Sequence, residues 1–271
     1  MHFIFQIKSN EMNLRNKLYT LWCCLVVMGT FLLLYPFIFL SLQKESWKIF
    51  AHRLNYVWFK VFCFLAAIKI EIKREFTPNP KETYIFCGSH FSPIDNFTVY
   101  LLAKNFFSVI GDEAIGKLPL YGYMFRKLNI TVDKKNQNSR NAAILKAIKV
   151  LRTGRSILIS PEGGIASRNP PNLYYPFQDG AFILAIHQQI PIVPLTSTTT
   201  YQIVPDVKNP LIYRRPLKAT IHKPIETKGM TMVDVERLKE MTFQVMNEGL
   251  GNTSTNFKER NLSTEKIIIH A

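Results

Sequence analysis

Residues 83–95 read TYIFCGSHFSPID. The run from Thr83 to Cys87 is short, apolar and rich in aromatic and β-branched residues, which predicts a buried strand. Gly88 and Ser89 break it. Ser92 and Pro93 then supply a helix start, with serine as N-cap, proline at the first helical position and Asp95 at the third. A strand that hands over to a helix through a short polar loop is the first half of an α/β unit.

The same texture continues on both sides. IKIEIK (Ile68–Lys73) alternates apolar and charged residues as a half-exposed strand does. FSVIG (Phe107–Gly111), the strand within NITVDKK (Asn129–Lys135), RSILIS (Arg155–Ser160), PIVPLTSTTT (Pro191–Thr200) and LKATIHKPI (Leu217–Ile225) are further strands. Between them PIDNFTVYLLAKNFF (Pro93–Phe107), Asn138–Leu151, Asp179–Gln188 and Val233–Leu250 read as helices, and GKLPLYGY (Gly116–Tyr123) as a loop or short helix. Ile144, Leu145, Ile148 and Leu151 are expected on one inner face, Val235, Leu238, Met241 and Val245 on another. The fold class is therefore α/β, a mixed, largely parallel sheet flanked by helices.

Upstream the chain changes character. Leu18–Gln43 carries no charge. As a helix it would run about 39 Å, more than the roughly 30 Å of bilayer hydrocarbon. A retained membrane helix is expected, since the run is too long for a signal peptide and no A-x-A site follows. VWFKVFCFLAAI (Val57–Ile68) is too short to span. It fits an amphipathic membrane-associated helix or a buried helix of the globular domain. The organisation read from this is a basic segment at 1–17, a membrane helix at 18–43, a membrane-associated helix at 44–68, an α/β domain at 69–250 and a loose tail at 251–271. Four scattered cysteines with no CxxC pair predict reduced thiols, no zinc site and a domain facing the cytosol.

Lys and Arg exceed Asp and Glu by 34 − 19 = 15 in the 271 residues, which suits a polyanionic partner. The membrane segment favours lipid over nucleic acid, for which no motif accompanies the charge. Lys134, Lys135, Arg140, Lys146, Lys149, Arg152 and Arg155 follow one another with no acid between them. That run suits anionic headgroups or coenzyme A phosphates, or is a solvated helix face.

His90 and Asp95 stand at the carboxyl end of the first buried strand, where α/β sheets gather reactive groups. A carboxylate beside an imidazole holds one ring tautomer and stabilises the imidazolium. Such a pair without its own serine can activate a hydroxyl on a substrate. Ser92 and Asp95 also match a capping box, a structural device in which His90 is only a polar loop residue. The residues alone leave both readings open.

Four blocks taken together carry a resemblance. HFSPID (His90–Asp95), PLYGYMFRKLNITVDK (Pro119–Lys134), SPEGG (Ser160–Gly164) and IPIVPL (Ile190–Leu195) resemble, in order, the motif blocks of the lysophosphatidic acid acyltransferase family of membrane glycerolipid acyltransferases. The resemblance implies that His90 is general base on the acceptor hydroxyl and that Asp95 orients it and balances its charge. It implies acyl-CoA or an acyl carrier protein as co-substrate, membrane lipids as partners, and no metal or further cofactor. Glu162 and Gly163 resemble an acceptor-binding turn. Lys134 stands where the family has arginine, Asn129 where it has glycine and Thr131 where it has an aromatic residue. Gly164 and Ile165 replace a threonine and the arginine expected on the acceptor phosphate, with Arg168 and Arg126 as candidate substitutes. The activity implied is O-acyl transfer to 1-acylglycerol-3-phosphate. The alternatives are another lyso-lipid or aminolipid acceptor, or a catalytically idle membrane-tethered lipid-binding protein.

Overall fold

The computed structural model describes residues 14–165 and 169–252. Seven strands, β1 (Ile70–Arg74), β2 (Ile85–Gly88), β3 (Phe107–Asp112), β4 (Ile130–Val132), β5 (Ser156–Ile159), β6 (Ile192–Ser197) and β7 (Leu217–Ile221), form one sheet in the order β1-β7-β6-β2-β5-β3-β4. The pairings are parallel except for antiparallel β6–β7. The sheet is thus mixed and largely parallel, as the alternation of strands and helices predicts.

Strand β2 lies at the centre and is buried at every residue. Its side chains alternate between two cores, as the period of a strand requires. Phe86 packs with Tyr100, Phe107, Phe59 and Phe62, on the side of α2 (Lys48–Leu65) and α3 (Asp95–Ala103). Ile85 and Cys87 pack with Ala147, Phe182, Phe243 and Met246, on the side of α5 (Gln137–Leu151), α6 (Gly180–Gln188) and α8 (Val235–Gly249). Two short helices, α4 (Tyr121–Leu128) and α7 (Thr200–Ile203), complete the set that begins with α1 (Leu14–Ser41).

Several expectations are corrected by the packing. The helix predicted to run from Pro93 to Phe107 spans Asp95–Ala103, because Lys104 turns left-handed at φ 43°. Asn105 then enters the core and donates to the carbonyls of Asn79 and Glu82. On α5 the buried residues are Ala143, Ala147 and Leu151, and Leu145 is 62% exposed. On α8 the inner face is Leu238, Thr242, Phe243 and Met246, and Met241 points outward. The segment read as a loop or short helix does lead into a short helix, α4, admitted because Gly122 passes directly against the Gly116 carbonyl, where a Cβ would collide. The tail expected to be loose lies, beyond Asn252, outside the described residues.

Helix α1 has 28 residues and enough apolarity to cross a membrane. One stripe, Cys23, Val26, Phe31 and Ile38, is buried against the domain. Polar ties follow that stripe along the helix. Tyr19 donates to the Ala66 carbonyl at 2.7 Å, Trp58 to Thr30 at 3.0 Å and Gln43 to the Tyr123 hydroxyl at 3.3 Å. The outward side presents Leu18, Leu21, Leu25, Met28, Leu33, Phe37 and Leu40 with no protein over them among the described residues. Helix α2 has one apolar side against the domain and one in the open. It buries Trp58, Phe59, Phe62 and Cys63, and exposes Phe50, Val57 and Phe64.

Arg155 closes the basic run that suits anionic partners. It is instead 6% exposed and paired with Glu45 at 2.7 Å, its guanidinium lying over the Phe106 ring and donating to Ser108. The pair ties the α1–α2 turn to the start of β5. Glu45→Ala should lower stability by about 1–2 kcal/mol, less than for a fully buried pair because Glu45 faces solvent. Adding Glu45→Ala to Arg155→Met should cost little more than Arg155→Met alone; additive losses in a thermal-unfolding double-mutant cycle would contradict the pairing.

His222 joins three strands. Its Nδ1 lies 3.1 Å from Glu75 and its Nε2 2.9 Å from the Thr196 hydroxyl. Burial holds its pKa below the ordinary 6.5, against the opposing pull of Glu75. The stability it contributes is therefore present above about pH 6.5 and lost as pH falls through the depressed value. The melting-temperature advantage of the wild type over His222→Asn should shrink on moving from about pH 7 to 5.5. An advantage that stays constant would count against this linkage.

Candidate functional site

Strand β2 ends at Gly88, and the chain leaves the carboxyl end of the sheet's central strand. The loop that follows is held on all sides. The Ser89 N–H donates to the Leu195 carbonyl, and the Ser89 hydroxyl accepts from the Ser197 N–H at 3.0 Å. Phe91 is 1% exposed and anchors the loop in the core. The Ser92 hydroxyl donates to the Val204 carbonyl at 2.7 Å.

Asp95 is the first residue of α3, not the third helical residue that Ser92 and Pro93 predicted. One of its carboxylate oxygens, Oδ2, accepts from the N–H groups of Phe91 at 2.7 Å and Ser92 at 2.8 Å. Only this half of the expected capping box is well formed. The serine hydroxyl has turned to Val204, and Ile94 N–H reaches it only at 3.4 Å. The carboxylate bonds fold the loop back over the helix start and carry His90 with it. His90 Nδ1 lies 3.6 Å from Asp95 Oδ2. That is beyond hydrogen-bond range, and Nδ1 and Asp95 Oδ1 are both buried without a hydrogen-bond partner. Catalytic hydrogen bonds are commonly long before substrate is bound and tighten around it.

Glu162 comes from the turn after β5 and is 4% exposed. Its Oε1 accepts from the backbone N–H of His90 at 3.2 Å and its Oε2 from that of Tyr174 at 2.9 Å. Burial pushes its carboxyl up to about 7, opposed by those two donors and by His90. Gly163 follows at φ 79° and Gly164 at φ 154°, backbone conformations that side chains disfavour. Above Gly164 a Cβ would meet Lys134 Nζ. Lys134, two residues past β4, also faces Asp112 at 3.8 Å and is about half exposed.

His90, Asp95, Glu162, Gly163 and Lys134 thus form one continuous group beyond the carboxyl ends of β2, β5 and β4. Arg126 does not join it by any hydrogen bond or ion pair; its guanidinium donates to the Gly116 carbonyl and braces that turn. Arg168 lies outside the described residues. Asn129 accepts from the Val109 N–H at 2.9 Å at φ −123°, so this position needs no glycine here. Sequence reading missed Asp112 and Ser89. Asp112 had a signal, a charged residue closing an apolar strand at its carboxyl end. Ser89 had none, because its partner at Ser197 is remote in the chain. Among the described residues no cluster of three His, Cys, Asp or Glu side chains has metal-binding geometry.

Comparison with known proteins follows the same outline. The acyltransferase family model matches residues 68–198, from just before β1 to the end of β6. A chloroplast 1-acyl-sn-glycerol-3-phosphate acyltransferase of Arabidopsis thaliana is 25% identical over 222 residues, covering 79% of this chain and 61% of that protein. A 1-acyl-sn-glycerol-3-phosphate acyltransferase of Borreliella burgdorferi is 28% identical over 182 residues, covering 67% of this chain and 68% of that protein. The chain thus spans about three fifths of the plant relative's length. The crystal structure of the 1-acyl-sn-glycerophosphate acyltransferase of Thermotoga maritima superposes with a TM-score of 0.72 over 88% of this chain and 95% of that one. At 18% identity this likeness shows the shared fold. By its matching segment and its relatives, the chain carries an acyltransferase-family domain over residues 68–198 and is similar to glycerolipid acyltransferases.

Proposed function

We propose that the protein moves a fatty acyl group from acyl-CoA or acyl-acyl-carrier protein to the free hydroxyl of 1-acylglycerol-3-phosphate, giving phosphatidic acid. The observation that carries this reading is the placement of His90 between the Asp95 carboxylate and the glycine turn that holds Glu162. His90 takes the proton of the acceptor hydroxyl. The oxygen then attacks the thioester carbonyl, the C–S bond breaks, and the departing thiolate recovers the proton from the imidazolium. Asp95, facing Nδ1, balances the imidazolium charge and leaves Nε2 for the substrate.

Glu162 is a positioning residue in this scheme, since it holds the backbone of His90 and not its ring. Lys134, leaning over Gly164, supplies the cation for the acceptor phosphate. A lysine there is a point charge without the bidentate geometry of arginine. Ile165, standing where the family has that arginine, supports a second reading with the same chemistry, in which the acceptor is another lyso-lipid or an aminolipid. Membrane association belongs to the same proposal. The outward apolar sides of α1 and α2 enter the bilayer, and residues 69–250 work at its cytosolic surface.

His90→Ala should lower acyl transfer to 1-acylglycerol-3-phosphate by about 10²–10⁴-fold without changing the melting temperature. Labelled-acyl assays read this directly, and wild-type turnover by the variant would remove the scheme. The acceptor is settled by mass spectrometry over a panel of lyso-lipids.

Glu162→Gln keeps one acceptor but cannot ionise. The native carboxyl titrates near 7 instead of 4.5. Its stabilising contribution is full below about pH 4.5 and lost as pH rises through about 7, a change of about 3 kcal/mol. The variant should lose that dependence between about pH 4.5 and 7, and misplacement of His90 should lower kcat about tenfold at little change in KM. A wild-type stability profile together with wild-type kcat would deny Glu162 this role.

A further inference from the structure

The loop Leu118-Pro119-Leu120 places two leucines in the open. Leu118 is 52% exposed and Leu120 45% exposed. Nor is the loop slack. Gly122 N–H donates to the Leu118 carbonyl at 2.9 Å and Met124 N–H to the Leu120 carbonyl at 3.3 Å. Leu120 is held at φ 56° and ψ −59°, which a leucine rarely adopts. Glycine is the ordinary residue for such a position. A side chain kept there in spite of the backbone, and left uncovered, calls for a partner outside the fold.

The surroundings say which partner. Tyr35 of α1 donates to the Leu120 carbonyl at 3.5 Å. Tyr121, the next residue, packs at a tilt against Phe31 and Phe97, with ring centroids 6.2 Å away in each case. The loop is thereby fixed to the carboxyl-terminal half of α1, the half that exposes Leu32, Leu33, Phe37 and Leu40. Tyr35 and Phe31 of α1 thus meet the loop directly, which sets its exposed leucines beside that half of the helix. Polar and basic groups flank it: Lys117, paired with Glu113, Lys127 over the Tyr123 ring, and Lys44 over the Trp47 ring. Apolar wedges bordered by tyrosine, tryptophan and lysine match the layering of a bilayer, hydrocarbon first and anionic headgroups next.

We infer that the Leu118–Leu120 loop is a third membrane-inserting element, whose two leucines enter the acyl-chain layer beside α1. This rests on the proposed bilayer contact of α1 and goes beyond it. Chain continuity gives the insertion a consequence, because the same segment runs through α4 and β4 to Lys134. Seating the loop in lipid sets the depth at which the site meets a lipid headgroup.

The test uses the full chain in vesicles of phosphatidylcholine and phosphatidylglycerol. In a Cys24→Ser background the remaining cysteines are buried. Bimane is attached at Leu118→Cys, at Leu33→Cys on α1, or at Lys146→Cys on α5. The expected result is quenching of the 118 and 33 labels by nitroxide on the lipid acyl chain and loss of iodide quenching, with the reverse at 146. Iodide quenching at 118 like that at 146, with 33 still in lipid, overturns the inference and leaves α1 in the membrane. Iodide access at both 118 and 33 overturns the bilayer contact as well. A 118 label shielded from both quenchers assigns the patch to a second copy and also overturns the inference.

Leu120→Gly adds a readout that a purely structural loop would not move. Relief of the positive φ should raise the melting temperature, while activity on acceptor embedded in vesicles falls and activity on detergent-dispersed acceptor stays. Higher stability with unchanged vesicle activity would overturn the inference.

Discussion

One carboxylate oxygen, Asp95 Oδ2, gathers the backbone N–H groups of Phe91 and Ser92 and so folds the loop beyond β2 onto the start of α3. Without that acceptor two buried donors would be left unpaired, at a cost of about 1–3 kcal/mol each, and the loop would have no reason to turn back. The position of His90 follows from this fold-back. The structural and chemical readings of Asp95 are therefore one arrangement. The same group that shapes the loop faces the imidazole it has brought near.

The second support comes from the far side. Glu162 holds the His90 backbone from the turn after β5, and that turn can approach because Gly163 and Gly164 take backbone conformations closed to larger residues. β2 and β5 are adjacent and parallel, so their carboxyl ends open side by side. Parallel pairing is what lets residues 72 apart in the chain meet at one end of the sheet. Lys134 arrives by the same rule from β4, across β3 and its Asp112.

The helical hairpin has two apolar sides, one covered and one open. Its inner stripe is a protein core, with tyrosine, tryptophan and threonine bonded across it, and its outer side is bare hydrocarbon. The Glu45–Arg155 pair pins its turn to the sheet, so the apolar face keeps a fixed orientation to the carboxyl ends of the strands. That geometry is the one the proposed acyl transfer to a lipid acceptor requires.

What the sequence determined by itself was whatever short-range pattern controls. Apolar runs of four to six residues became buried strands, long periodic stretches became helices, and an uncharged run of 26 residues became one long apolar helix. The site was legible as far as its motifs were local. His90 with Asp95, and Glu162 with its glycines, stand where strand ends were expected. The tertiary structure decided what depends on partners remote in the chain. Leu145 and Met241 face out because the surface opposite selects the helix face, and periodicity alone does not rank two adjacent apolar stripes. Ser92 left its capping role because the Val204 carbonyl offered a better bond. Arg155 left the basic run because Glu45, 110 residues away, lies over it. Local pattern sets which backbone forms; which side chain meets which is settled only when the layers close.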